Sequence, residues 1–126
     1  MNNAFAELEA EIIRFRDDRN WAQFHTLKNL MMSLNIEASE MLELVQWKND
    51  AEITEGLVDP ETHEALADEC ADVFVYLLMI CYEAGVDLEK ATRSKLVKNA
   101  LKYPIDQAYG SATKYTQLDT DEGFSE

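Results

Sequence analysis

Basic residues are scarce in this sequence: eleven lysines and arginines stand against twenty-five aspartates and glutamates, a formal net charge of -14. A surface of that sign repels a polymer of phosphates, whose binding depends on lysine and arginine neutralising its backbone, so no nucleic-acid polymer is expected as a partner. Long apolar runs are also missing. The longest uncharged stretch, Val73 to Tyr82, has ten residues, against the roughly 20 that a membrane span needs, and no membrane partner is expected. The first residues show neither a basic n-region nor an apolar h-region, so a cytoplasmic location is expected. Cysteine occurs only twice, at Cys70 and Cys81. On one helix they would stand about 16 Å apart, too far to pair, which predicts two reduced core thiols. No internal repeat or low-complexity tract is present.

What remains is a 126-residue chain with 47% hydrophobic content, enough for one domain with a real core. It is also small enough that burial would be completed by self-association. Residues 4 to 19 place Phe5, Leu8, Ile12, Ile13 and Phe15 at helical spacing. From a cap at Thr26 to about Lys48, Leu27, Leu30, Met31, Leu34, Ala38, Met41, Leu42 and Val45 form one stripe with apolar flanks. Residues 49 to 63 are acidic, contain Gly56 and read as a connection with at most a short helical turn. Asp59-Pro60 starts a third helix that Gly85 ends, and a fourth runs from Leu88 to Lys102 before Pro104. The expected fold is all-α, with residues 1–105 as the domain and 106–126 as a polar, acidic, loosely held tail.

Inside the two most apolar helices lie two acid pairs, Glu37-x-x-Glu40 and Glu69-x-x-Asp72. Each puts two carboxylates one turn apart on the same side. Like charges so close repel, and apolar surroundings raise the cost, so the pairs point to a compensating cation. An all-carboxylate donor set selects a hard divalent ion, Mg²⁺ first and Mn²⁺ as its substitute. A di-iron site would need Glu-x-x-His twice, and neither His25 nor His63 has that spacing. Five of the eleven basic residues, Lys90, Arg93, Lys95, Lys98 and Lys102, fall within thirteen residues. That local reversal of sign suits a small phosphate ligand.

The segments W-A-Q-F-H from Trp21, N-L-M-M-S-L-N-I-E-A-S-E-M-L-E-L-V-Q-W-K from Asn29, D-E-C-A-D-V-F-V-Y-L-L from Asp68 and K-L-V-K-N-A-L-K-Y-P from Lys95 resemble, in order and spacing, the MazG-like nucleoside triphosphate pyrophosphatases. The small dCTP pyrophosphatase branch is the most similar. The resemblance implies a four-helix MazG-like bundle completed by subunit association, with a tetramer built as a dimer of dimers favoured over a dimer. It implies Mg²⁺-dependent hydrolysis of (deoxy)nucleoside triphosphates to the monophosphate and pyrophosphate, a house-cleaning reaction on the nucleotide pool. It implies Glu37, Glu40, Glu69 and Asp72 as catalytic metal ligands; one of the four, or an acid beside them such as Glu43 or Asp68, would serve as general base through water. Trp21, His25, Trp47 and Tyr76 would line the base and sugar pocket, and Lys95, Lys98 and Asn99 would contact phosphate and sugar. Leu27, Asn35 and Ser39 stand where similar sequences often carry proline and glycines. The alternative reading is a non-catalytic helical oligomerisation or partner-binding module, its acids merely solubilising.

Overall fold

The structure, a computed structural model, describes residues 3–118. Its elements are all helical, with no strand among the described residues, as the 3.6-residue spacing predicts. Two compact units are present, one ending at Asp87 and the other starting at Leu88. No described helix is long and apolar enough to cross a membrane.

In the first unit, α1 (Ala4–Asp18) starts where the Asn3 side chain accepts the Ala6 N–H at 3.2 Å. It closes through Asn20, whose positive φ of 54° lets the Asn20 and Trp21 N–H groups reach the Asp17 and Arg16 carbonyls. A 3-10 turn, Ala22–Phe24, leads to α2 (Leu27–Glu43), capped by the Thr26 hydroxyl on the Asn29 N–H. This helix ends earlier than the expected Lys48. From Leu44 the N–H groups reach back three residues, to Met41, Leu42 and Val45, and the chain tightens into turns.

The connection expected at 49 to 63 contains more helix than anticipated, a seven-residue α3 (Asp50–Gly56). Asn49 caps it at the Glu52 N–H, and Asp50 and Glu52 put negative charge at the positive end of the helix dipole. Next comes α4 (Pro60–Ala84), with proline at its first position where no N–H is needed. Its C-terminus wraps through Gly85 at φ 67°, so that the Val86 N–H reaches the Cys81 carbonyl at 2.8 Å. A left-handed residue there favours glycine.

Against α4 pack α2, most extensively, and α1. Leu30 of α2 and Leu78 of α4 are the most deeply buried large side chains, joined in the core by Ile12, Met79 and Cys81. Cys70, expected inside, is exposed: it shares a face of α4 with buried Cys81 but lies about three turns before it, outside the C-terminal half of the helix where the buried residues Leu78, Met79 and Cys81 fall. Truncation of Leu78 to alanine is expected to cost about 3 kcal/mol through lost burial and a cavity, read as a lower urea midpoint at unchanged m-value.

The second unit holds α5 (Leu88–Lys102) and a four-residue α6 (Ile105–Ala108) after Pro104. Beyond it, the Tyr115 ring packs edge-on against Tyr103 at 5.9 Å, with the Lys102 ammonium 4.8 Å away. The remainder of the expected tail, residues 119–126, lies outside the described residues.

Candidate metal and nucleotide site

The carboxylates converge where the C-terminal half of α2 lies against the N-terminal half of α4. Glu37 and Glu40 project from α2 and Glu69 from α4, with one carboxylate oxygen of each within 4.8 Å of the other two. Their apolar neighbours on both helices half-bury all three. Asp72, one turn after Glu69, is exposed at the rim of the trio, close enough for its charge to act on Glu37 and Glu69. Asp68 adds a further repulsion on Glu69.

This crowding changes the acids. Burial, first, then contact with Glu40 and the charges of Asp72 and Glu69 push the Glu37 carboxyl up from 4.5 to about 7. Burial and the charges of Glu40 and Asp72 push Glu69 up as well, while its contact with Glu37 acts the other way. The buried Oε2 atoms of Glu37 and Glu69 have no hydrogen-bond partner. Buried acceptors without donors are costly, and a protein retains them where something else completes them.

A divalent cation fits this donor set. Around Mg²⁺, with oxygens at about 2.1 Å, neighbouring ligand oxygens stand about 3 Å apart and opposite ones about 4.2 Å, so the trio needs only a small closure to share one ion. Glu37, Glu40 and Glu69 are the residues that could hold it, with Asp72 placed to join them.

The other expected site residues divide by location. Trp21 is 43% exposed and Trp47 87% exposed, large aromatic faces open to a ligand. Tyr76 is half-buried on α4, one turn beyond Asp72. His25 is half-buried, with its Nδ1 enclosed and unpartnered. Burial, then the charge of Arg16, lower its pKa from 6.5, and Glu83 opposes them. Lys95 and Asn99 line an open groove of about 380 Å³ on α5 together with Leu88, Ala91, Thr92 and Leu96, and Lys98 lies exposed on the same helix. These three belong to the second unit, described by itself. The Asn35 amide and Ser39 hydroxyl both bond back to carbonyls of their own helix, at 2.8 Å and 2.9 Å, and add no donor to the acids.

Sequence reasoning passed over Arg16 and its partner Glu83, which are joined across 67 residues of chain. The available signal was a cation four residues after Ile12, on the face that α1 turns to the core.

The class these features define is an all-α protein whose paired helices bring together a carboxylate cluster that could hold a metal ion. Residues 32–118 match the model of the MazG-like family. Over 104 residues the chain is 41% identical to dCTP pyrophosphatase 1 of Rattus norvegicus and 39% identical to that of Homo sapiens. Each alignment covers 82% of this chain, which spans only 61% of the length of those curated relatives. The crystal structure of a pyrophosphatase from Archaeoglobus fulgidus is similar too, with a TM-score of 0.76 and 37% identity over 82% of this chain and 95% of that one. The chain belongs to the MazG-like family.

Proposed function

We propose that the protein is a Mg²⁺-dependent nucleoside triphosphate pyrophosphatase that converts (deoxy)nucleoside triphosphates to the monophosphate and pyrophosphate, with dCTP-like substrates first. The observation that carries this reading is the trio Glu37, Glu40 and Glu69 with its two unpartnered buried oxygens. Its likeness to proteins named dCTP pyrophosphatase 1 supports the base preference.

In this reading water attacks the α-phosphorus, the bond from that phosphorus to the bridging oxygen breaks, and pyrophosphate departs with the electron pair. When bound, Mg²⁺ (or Mn²⁺) supplies compensation for phosphate charge and a more acidic water. Glu37, Glu40, Glu69 and Asp72 hold the ion, and an acid of the set or beside it accepts the water's proton. Trp21, Trp47 and Tyr76 offer ring faces and edges to the base and sugar, and His25 a polar edge. Lys95, Lys98 and Asn99 bind phosphate and sugar oxygens.

The working form in this proposal is a homo-oligomer, a dimer of dimers. Its support is the apolar surface that one copy leaves uncovered. Met31, Met32 and Ile36 of the first unit line one open groove and are 47–56% exposed, and Leu42 and Val58 are exposed as well, apolar side chain of the kind that marks an interaction surface.

The test is pyrophosphate release from the four standard deoxynucleoside triphosphates and their ribose counterparts, with Mg²⁺ and with EDTA. Mg²⁺-dependent release with a monophosphate as the second product is expected, with dCTP ranked first. Release of inorganic phosphate with a diphosphate product would overturn the reaction assignment, and equal rates in EDTA would overturn the metal.

A further inference from the structure

The ion pair that joins α1 to α4 lies apart from the carboxylate trio and bears on Trp21 and His25, two of the proposed substrate contacts. The Arg16 side chain is only 7% exposed, and its Nη1 donates to Oε1 of Glu83 at 2.7 Å. Its Nε donates to Oδ1 of Asp17 at 2.9 Å, and the guanidinium lies 5.2 Å from the centre of the Tyr82 ring. A charge withdrawn this far from water is expensive unless its partners hold it in one place. Arg16 is therefore a fixed point of the first unit.

From that point hangs the segment that carries Trp21 and His25. The Arg16 carbonyl accepts the N–H groups of Arg19 at 3.2 Å and Trp21 at 3.1 Å. The Arg19 guanidinium stacks 3.7 Å from the Phe15 ring centre and donates to the Phe15 carbonyl at 2.9 Å. Trp21 meets the same ring edge-on at 5.8 Å. Further along, the His25 N–H bonds to the Ala22 carbonyl, and the Asn29 amide of α2 donates to the Phe24 carbonyl at 3.0 Å. The turn is thus clamped to α1 at one end and α2 at the other. The charged groups acting on the imidazole it presents are Arg16 from α1 and Glu83 from α4.

We propose that Arg16 and Glu83 are positioning residues for nucleotide binding: their ion pair fixes the Trp21–His25 turn so that the half-buried His25 imidazole, whose Nδ1 is enclosed by the protein, turns its accessible edge to the base or sugar of the substrate. The inference rests on the proposed role of Trp21 and His25 as substrate contacts, and adds to it the device that sets their place. A neutral imidazole can offer its accessible ring nitrogen as acceptor or donor according to its tautomer, a choice that an imidazolium lacks. Neither Arg16 nor Glu83 touches the reacting atoms, so their loss acts on binding and leaves the chemical step in place.

The test compares Arg16→Gln, Glu83→Gln and Arg16→Lys with the parent protein in steady-state kinetics on dCTP with Mg²⁺, and in proton NMR titration of the imidazoles. Only two histidines exist, so exposed His63 is the internal control. Arg16→Gln and Glu83→Gln are each expected to raise KM roughly tenfold while kcat stays within about twofold, and Arg16→Lys to recover most of the loss. The His25 titration should move up in Arg16→Gln and down in Glu83→Gln, with His63 unmoved. Should Arg16→Gln fail to fold, Glu83→Gln and Arg16→Lys still decide the matter. A KM within about twofold of the parent in the folded variants, or a His25 titration that ignores both changes, overturns the positioning role. A parent that neither binds nor hydrolyses any nucleotide overturns the pyrophosphatase reading and this inference with it, whereas an active parent with indifferent variants overturns only the inference.

Discussion

Glu40→Gln and Glu69→Gln should each cut metal-dependent pyrophosphate release at least about a hundredfold, the scale seen when one preorganised charge is removed from such a site. Neither should lower the thermal midpoint of the metal-free protein. The two expectations have one cause. Three carboxylate oxygens within 4.8 Å of one another on half-buried helix faces repel when no cation lies between them. Replacing one by an amide of nearly the same shape removes that repulsion and supplies a donor for a neighbouring unpartnered oxygen. The same change removes a ligand. Lower activity with equal or higher metal-free stability is the signature of a site held against the stability of its own fold. Full activity in either variant would sink the ligand assignment. A loss of stability like that expected for Leu78→Ala would show instead that the acids are structural.

The long elements were legible because their signals were local and redundant. Thr26, Asp59-Pro60 and Gly85 each mark a helix end by their own chemistry, and Leu30 and Leu78 fall on the stripes that meet in the core. The end of α2 was not, since the apolar stripe runs on to Val45, with Trp47 on its flank, where the hydrogen bonds have already changed to the three-residue pattern. A side-chain period near 3.6 does not distinguish the last α turn from tight turns that follow it. The short α3 was hidden by an acidic composition that reads as loop, although Asn49 carries its cap in plain view.

At the site, sequence identified which acids share a helix face, and the structure added which share a place. Glu37, Glu40 and Glu69 meet, while Asp72 stays at the rim, a distinction set by how α2 lies on α4 and by no spacing within either. The Arg16–Glu83 pair was illegible for the same reason. One arginine among charges on α1 looks solvated until the partner helix covers it. Local periodicity places side chains around a helix, and contacts between helices decide which of them are paid attention by a ligand.

The proton balance of the trio leads to the second large effect: a divalent cation should raise the thermal midpoint strongly at about pH 8 and weakly at about pH 5.5. In the metal-free protein Glu37 holds its proton up to about 7, against 4.5 as its ordinary value. Between those two values the folded chain binds a proton that the unfolded chain has released. The contribution of this group to stability is therefore present below 4.5 and is lost as pH rises through 7. Glu69, raised for the same leading reason of burial, acts in the same sense. A cation reverses the sign, because it binds the ionised carboxylates and compensates the repulsion that builds up through that window and is complete above it. Below about 7 the cation must first displace the proton of Glu37, and its apparent affinity should fall about tenfold per pH unit for each proton displaced. Thermal unfolding with Mg²⁺ or Mn²⁺ against EDTA at the two pH values reads the difference directly, and calorimetry in buffers of unlike ionisation enthalpy counts the protons released. An equal shift at both pH values, with no proton release, would mean that the cation binds elsewhere and that Glu37 and Glu69 do not ligate it.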